Sequence, residues 1–180
     1  RDAQESRGLG DVYKRQTVDL ALTGQNTGDD SCVFIPFCQD NMVIATPVND
    51  HYLNLKQKEQ PVVFQDFIKD PVIIREKSSG TKKEMDIFLE NAGIEPSSLN
   101  VVARMNDLES IKKSIVNGLG FSILSARSVV DLQKTKQILL FPLEESAHKR
   151  SFYIVYSKNR ILKSHVRQFI HYIKEYYQTV

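Results

Sequence analysis

From residue 71 to the end of the chain, segments patterned as strands alternate with segments patterned as helices, and this order restricts the fold more than any other feature. "PVIIRE" (71–76), "LNVVARM" (99–105), "FSIL" (121–124), "ILLFPL" (138–143) and "SFYIVYSK" (151–158) read as strands. Between them, Met85, Phe88, Leu89 and Ala92 recur at helical spacing, with Gly93 as a stop. Leu108, Ile111, Ile115 and Leu119 form a second stripe ending near Gly118, and "SARSVVDLQ" a short helix. Leu162, Val166, Phe169, Ile170, Ile173 and Tyr177 form a last stripe. Parallel neighbours need crossover connections, so the order predicts an α/β protein with a parallel sheet. The continuous apolar run at 71–76 fits a strand covered on both faces. Upstream, "TVDLALTG" (17–24) reads as a short strand. "CVFIPFCQDNMVIATP" (32–47) reads as one or two strands broken near Gln39–Asn41, "NLKQKEQ" (54–60) as a polar loop and "VVFQDFIKD" (62–70) as room for a short helix.

In such sheets, ligands bind beyond the carboxyl ends of strands, where loops lead into helix N-termini. "IIREKSSGTKKE" (73–84) is such a junction. Thr81 and Glu84 match a T-x-x-E capping box, a contribution of about 1 kcal/mol. Capping leaves Ser78, Ser79 and Gly80 unexplained. Gly80 allows close approach of backbone to a ligand, and the serines add hydroxyl donors. Free amides and the positive helix end favour an anion, which would offset Lys82 and Lys83. A solvated face is the alternative for the lysines. "RMNDLE" (104–109) repeats the form, with Asn106 or Asp107 able to cap and Asn106 able to face a ligand. Thr46 is a third small polar group at a strand end.

The composition, 41% apolar and 26% charged with net charge +2, is that of an ordinary globular protein without a basic stripe for nucleic acid. No apolar run approaches the ~20 residues of a membrane span, and no signal peptide opens the chain. Cys32 and Cys38 read as plain buried or half-buried thiols of a reducing compartment. His51, His148, His165 and His171 fall in loops or on the last helix, in no metal spacing or triad order, so no catalytic set and no cofactor is expected. "GLGF" (118–121) follows a helix and lacks the phosphate fingerprint. Residue 1 is arginine and the first methionine is Met42, so the chain is read as not beginning at a translation start. "GLGDVYKRQ" resembles a translated adapter, and residues 1–16 are read as an artefact or a disordered tail.

In order, "DLALTG", "FIPFCQDNMVIATPVNDHYL", "IIREKSSGT", "NDLESIKKSIVNGLGFSILSARSV" and "FYIVYSKNR" resemble the effector-binding domain of LysR-type transcriptional regulators over residues 17–177. "REKSSGT" is similar to the family form "REPGSGT", with Lys77 in place of the proline and Ser78 of the first glycine. The resemblance implies a two-lobe fold like type 2 periplasmic binding proteins, with a small effector in the cleft and the first lobe incomplete. It places residues 17–45 in the remainder of lobe one and the first crossover, 46–145 in lobe two, and 146–180 in the return to lobe one. It places Thr46 on the first crossover, Ser78, Ser79, Gly80 and Thr81 on the clamp loop, and Asn106 facing the effector. The implied protein is a cytoplasmic regulator, not an enzyme. It binds a small anionic metabolite and reaches DNA through a winged helix-turn-helix missing from this fragment, as a homodimer or homotetramer when full length. The alternatives are a solute-binding protein of a transport system, which shares the fold, and a sensing domain attached to an enzyme.

Overall fold

The structure is a computed structural model and describes residues 18–24, 26–76, 79–143 and 149–178. The chain divides into two compact units, one running through Asp40 and resuming at Arg150, the other Asn41–Lys149.

The first unit contains strand β1 (Ala21–Thr23), the first part of β2 (Cys32–Pro47), β7 (Lys149–Ser157) and helix α5 (Ser164–Gln178). β7 lies between β1 and β2 and runs antiparallel to β1, pairing Ala21 with Val155 and Thr23 with Tyr153. Ile154 and Val155 are fully buried, and Val166 and Ile173 of α5 are nearly so. Phe169, on the predicted stripe, is 46% exposed, which narrows the buried face of α5. Arg160 ties the turn after β7 to the start of the described chain, donating from Nη1 to the Val18 carbonyl at 2.9 Å and to Asp19 at 3.3 Å. Cys32 and Cys38 are buried and unbonded to each other, as read from the sequence.

The second unit is built around β2, whose later residues pair antiparallel with β5 (Ser122–Ser125) and with β6 (Ile138–Pro142). β3 (Pro71–Arg75) and β4 (Asn100–Met105) pair in parallel, and Phe121 adds a parallel bridge to Val72. The expected parallel sheet is therefore confined to this part, and the ladders on β2 are antiparallel. β3 is buried on both faces, as its apolar run predicted. Val72 and Ile74 join a cluster with Met85, Phe88 and Leu89 of helix α2 (Gly80–Asn91). Ile73 joins a second cluster with Ile111 and Ile115 of helix α3 (Leu108–Val116). Aromatic edges lock the first cluster, Phe64 against Phe88 at 5.0 Å and Phe67 against Phe141 at 5.2 Å between ring centroids.

Several sequence expectations need correction. β2 is unbroken through Gln39–Asn41, because Gln39 and Asn41 face outward while Cys38, Asp40 and Met42 face inward, preserving the strand period. Part of the expected loop 54–60 belongs to helix α1 (Asp50–Lys56), where Asn49 caps by accepting from the Tyr52 amide at 3.0 Å and Tyr52 and Leu55 are buried. His51 therefore lies on a helix, with Nε2 3.0 Å from Asp70; His148 lies outside the described residues. Leu119 leaves the α3 stripe and is 44% exposed, because the helix ends at Val116 and Gly118, at φ +80°, turns the chain. A helix at 62–70 is a single 3-10 turn at Phe64–Phe67, and "SARSVVDLQ" forms a 3-10 turn running into helix α4 (Val130–Lys134).

Candidate functional site

The carboxyl ends of β3 and β4 hold most of the candidate polar groups. β3 stops at Arg75, in register with Met105, and the Glu76 amide donates to the Met105 carbonyl at 3.2 Å. The Ser79 amide donates to the Glu76 carbonyl at 3.0 Å, which closes the turn toward α2. Ser78 lies outside the described residues, as does Lys77. Ser79, Gly80 and Thr81 are half-buried.

The capping box expected at Thr81 and Glu84 is absent. Ser79 has the extended backbone that a cap requires, and α2 starts at Gly80, so Thr81 is already inside the helix. Ser79 makes no side-chain cap bond, and the first turn contains no acidic residue. It contains Lys82 and Lys83 instead. Lys82 is paired with Asp86 one turn along and its side chain is only 13% exposed. The start of α2 is thus a positive helix end without a side-chain acceptor.

At the end of β4, Asp107 rather than Asn106 caps α3, its Oδ2 accepting from the Ser110 amide at 2.6 Å. Hydrogen bonds from Ser110 hold the Asp107 carboxyl below its ordinary value, with the Arg75 charge a lesser contribution. Asn106, released from capping, is exposed beside that junction. Ser79, Gly80, Thr81 and Asn106 therefore share one end of the β3–β4 pair. Thr46 does not belong to that end. It lies in the β2–β6 ladder opposite Leu139, fully buried, with Oγ1 donating to the Pro47 carbonyl at 3.1 Å.

Sequence reasoning missed Arg75. It is half-buried at the last position of β3, and its Nε is sealed from solvent with no hydrogen-bond partner. The available signal was a cation closing an otherwise apolar strand. Among the described residues, no group of three or more His, Cys, Asp or Glu side chains could hold a metal ion. No described helix is long and apolar enough to cross a membrane.

The model of the LysR substrate binding domain matches residues 3–178. The chain belongs to the LysR substrate-binding domain family. The HTH-type transcriptional regulator CysL of Bacillus subtilis (strain 168) is 28% identical over 163 residues, 89% of this chain and 52% of the relative. A RuBisCO operon transcriptional regulator of Acidithiobacillus ferrooxidans is 28% identical over 88% of this chain and 49% of the relative. The chain spans about half the length of these curated relatives. Among solved LysR structures, the Synechocystis PCC6803 CcmR regulatory domain in complex with 2-PG superposes with a TM-score of 0.80 at 20% identity. That match covers 94% of this chain and 78% of the other. The effector binding domain of QuiR in complex with shikimate gives a TM-score of 0.76 at 16% identity, over 93% of this chain and 75% of the other. The fold is the two-lobe, periplasmic-binding-protein-like α/β fold of LysR effector-binding domains. These relatives are regulators, and the solute-transport alternative finds no support among them.

Proposed function

We propose that this chain is the effector-sensing part of a cytoplasmic, non-enzymatic LysR-type transcription regulator. A small anionic metabolite binds at the carboxyl ends of β3 and β4 and controls DNA binding by a winged helix-turn-helix carried elsewhere in the polypeptide. The observation that carries this reading is the family match across residues 3–178. Two relatives of the same fold were solved with small molecules, 2-PG and shikimate, in their regulatory or effector-binding domains.

Ser79 and Thr81 supply hydroxyls, Gly80 admits close backbone approach, Asn106 adds a polar side chain, and the start of α2 favours negative charge. Ser78, outside the described residues, and Thr46, away from the β3–β4 end, join the effector set through the family pattern alone. Residues 17–45 and 146–180 contribute to lobe one and residues 46–145 form lobe two. The working protein is a homodimer or homotetramer. An effector acts by favouring one of two arrangements, so it changes DNA affinity only by its differential affinity for them.

The test is DNA binding by the intact protein on its own upstream region, with and without a panel of phosphorylated and carboxylated metabolites. A sequence-specific complex whose midpoint shifts with one compound supports the reading. No specific complex under any condition would overturn it. Thr81→Val and Asn106→Ala are expected to weaken the response about tenfold each while the ligand-free protein still binds DNA.

A further inference from the structure

Resting on the effector-site reading above, we infer that Arg75 is the residue that recognises the anion, and that the effector carries a carboxylate or phosphate group presented to the Arg75 guanidinium. Arg75 ends β3, where the loop toward α2 begins. In register it faces Met105, the residue before Asn106. Its Nε–H is shut off from solvent and has no acceptor. A buried donor without an acceptor is a standing cost. The carboxylate whose field it shares, Asp107, is already engaged in capping α3 through the Ser110 amide at 2.6 Å.

The α2 side of the same strand end is short of negative charge. The first turn of α2 has no acidic residue and no side-chain cap, and it carries Lys82 and Lys83. Lys82 is paired with Asp86, which offsets part of its charge. Arg75 differs from both lysines: it is fixed on a strand end, and its planar fork matches two oxygens of one oxyanion. A neutral ligand would leave the guanidinium as poorly matched as it is without one.

Calorimetric titration and thermal unfolding of the intact protein, with sodium phosphate, sulfate and acetate at constant ionic strength, test this. Glycerol serves as the uncharged control. At least one oxyanion is expected to bind saturably to wild type, and the preferred salt separates a phosphate from a carboxylate site. Arg75→Gln weakens that binding about tenfold or more, and Arg75→Lys several-fold, because an ammonium keeps the charge and loses the paired donors. Ligand-free Arg75→Gln unfolds at the same temperature as wild type or higher, since it removes a buried donor, Nε–H, that has no acceptor. Oxyanion binding that is unchanged in both variants would overturn the role of Arg75 and leave the effector site standing. Binding of glycerol alone, or of nothing, would overturn the anionic reading together with it. A clear loss of ligand-free stability in Arg75→Gln would make Arg75 a structural residue and also overturn the proposal.

Discussion

At Gly120 the backbone leaves no room for even one carbon. A β-carbon there would lie 2.3 Å from the Pro71 carbonyl oxygen and 2.8 Å from its carbon, where the Phe121 amide bonds to that same carbonyl at 2.9 Å. Neither atom can swing aside as a side chain could. Gly120→Ala is therefore expected to cost about 1–3 kcal/mol, read as a lower denaturant midpoint at unchanged slope. Asp107 is the other position where a single residue decides local order. Its removal in Asp107→Ala should lower the denaturant midpoint by leaving the Ser110 amide without its cap. Because its folded-state pKa is depressed, its contribution is present above the ordinary carboxyl pKa of about 4 and is lost as pH falls through the lower folded value. Denaturant midpoints of wild type and Asp107→Asn, compared from neutral to acid pH, should converge as the carboxyl is protonated. Gly120 was legible only as part of a helix stop, because a close approach to Pro71 is a tertiary fact that no local pattern encodes.

Elements show where local patterns suffice. β3, α2 and α3 were readable because burial on two faces produces a continuous apolar strand and two helical stripes. α1 was not, because its buried contribution is Tyr52 and Leu55 alone, too few to stand out from the polar residues around them. The capping box failed for a subtler reason: the sequence offered three hydroxyl residues near the junction, Ser78, Ser79 and Thr81, and the helix begins directly after Ser79, which leaves Thr81 inside it. α3 and α4 are also joined by charge. Lys112, with a side chain only 9% exposed, donates from Nζ to Asp131 at 2.8 Å and to Glu109 at 3.1 Å. The hydrogen bond to Asp131 is the main cause of the upward shift of its pKa. Asp131→Ala is expected to lower the thermal midpoint by stripping the ammonium of its shorter bond. Lys112→Met, which removes the charge along with its need for a partner, should match or exceed that variant in thermal midpoint.

For the whole molecule, the family resemblance was legible as an ordered set of motifs, whereas the residue-level chemistry of the β3–β4 end needed coordinates. The two units differ in how their sequence is distributed. The second is one continuous stretch, Asn41–Lys149, with Phe67, Ile73, Ile111 and Phe121 fully buried, so the amides of β3 and β5 should exchange most slowly with deuterium. The first unit is assembled from both ends of the chain, and β7, its central strand, comes from the far end. During synthesis, residues 21–40 must therefore wait for β7 until more than a hundred further residues, Asn41–Lys149, have been made. Joining such distant segments carries the loop-closure entropy of everything between them unless the intervening unit has already folded. Both cysteines of the chain lie in the waiting segment. Newly made chains should thus be open to thiol reagents until β7 docks, and the loss of Cys32 and Cys38 reactivity marks that docking.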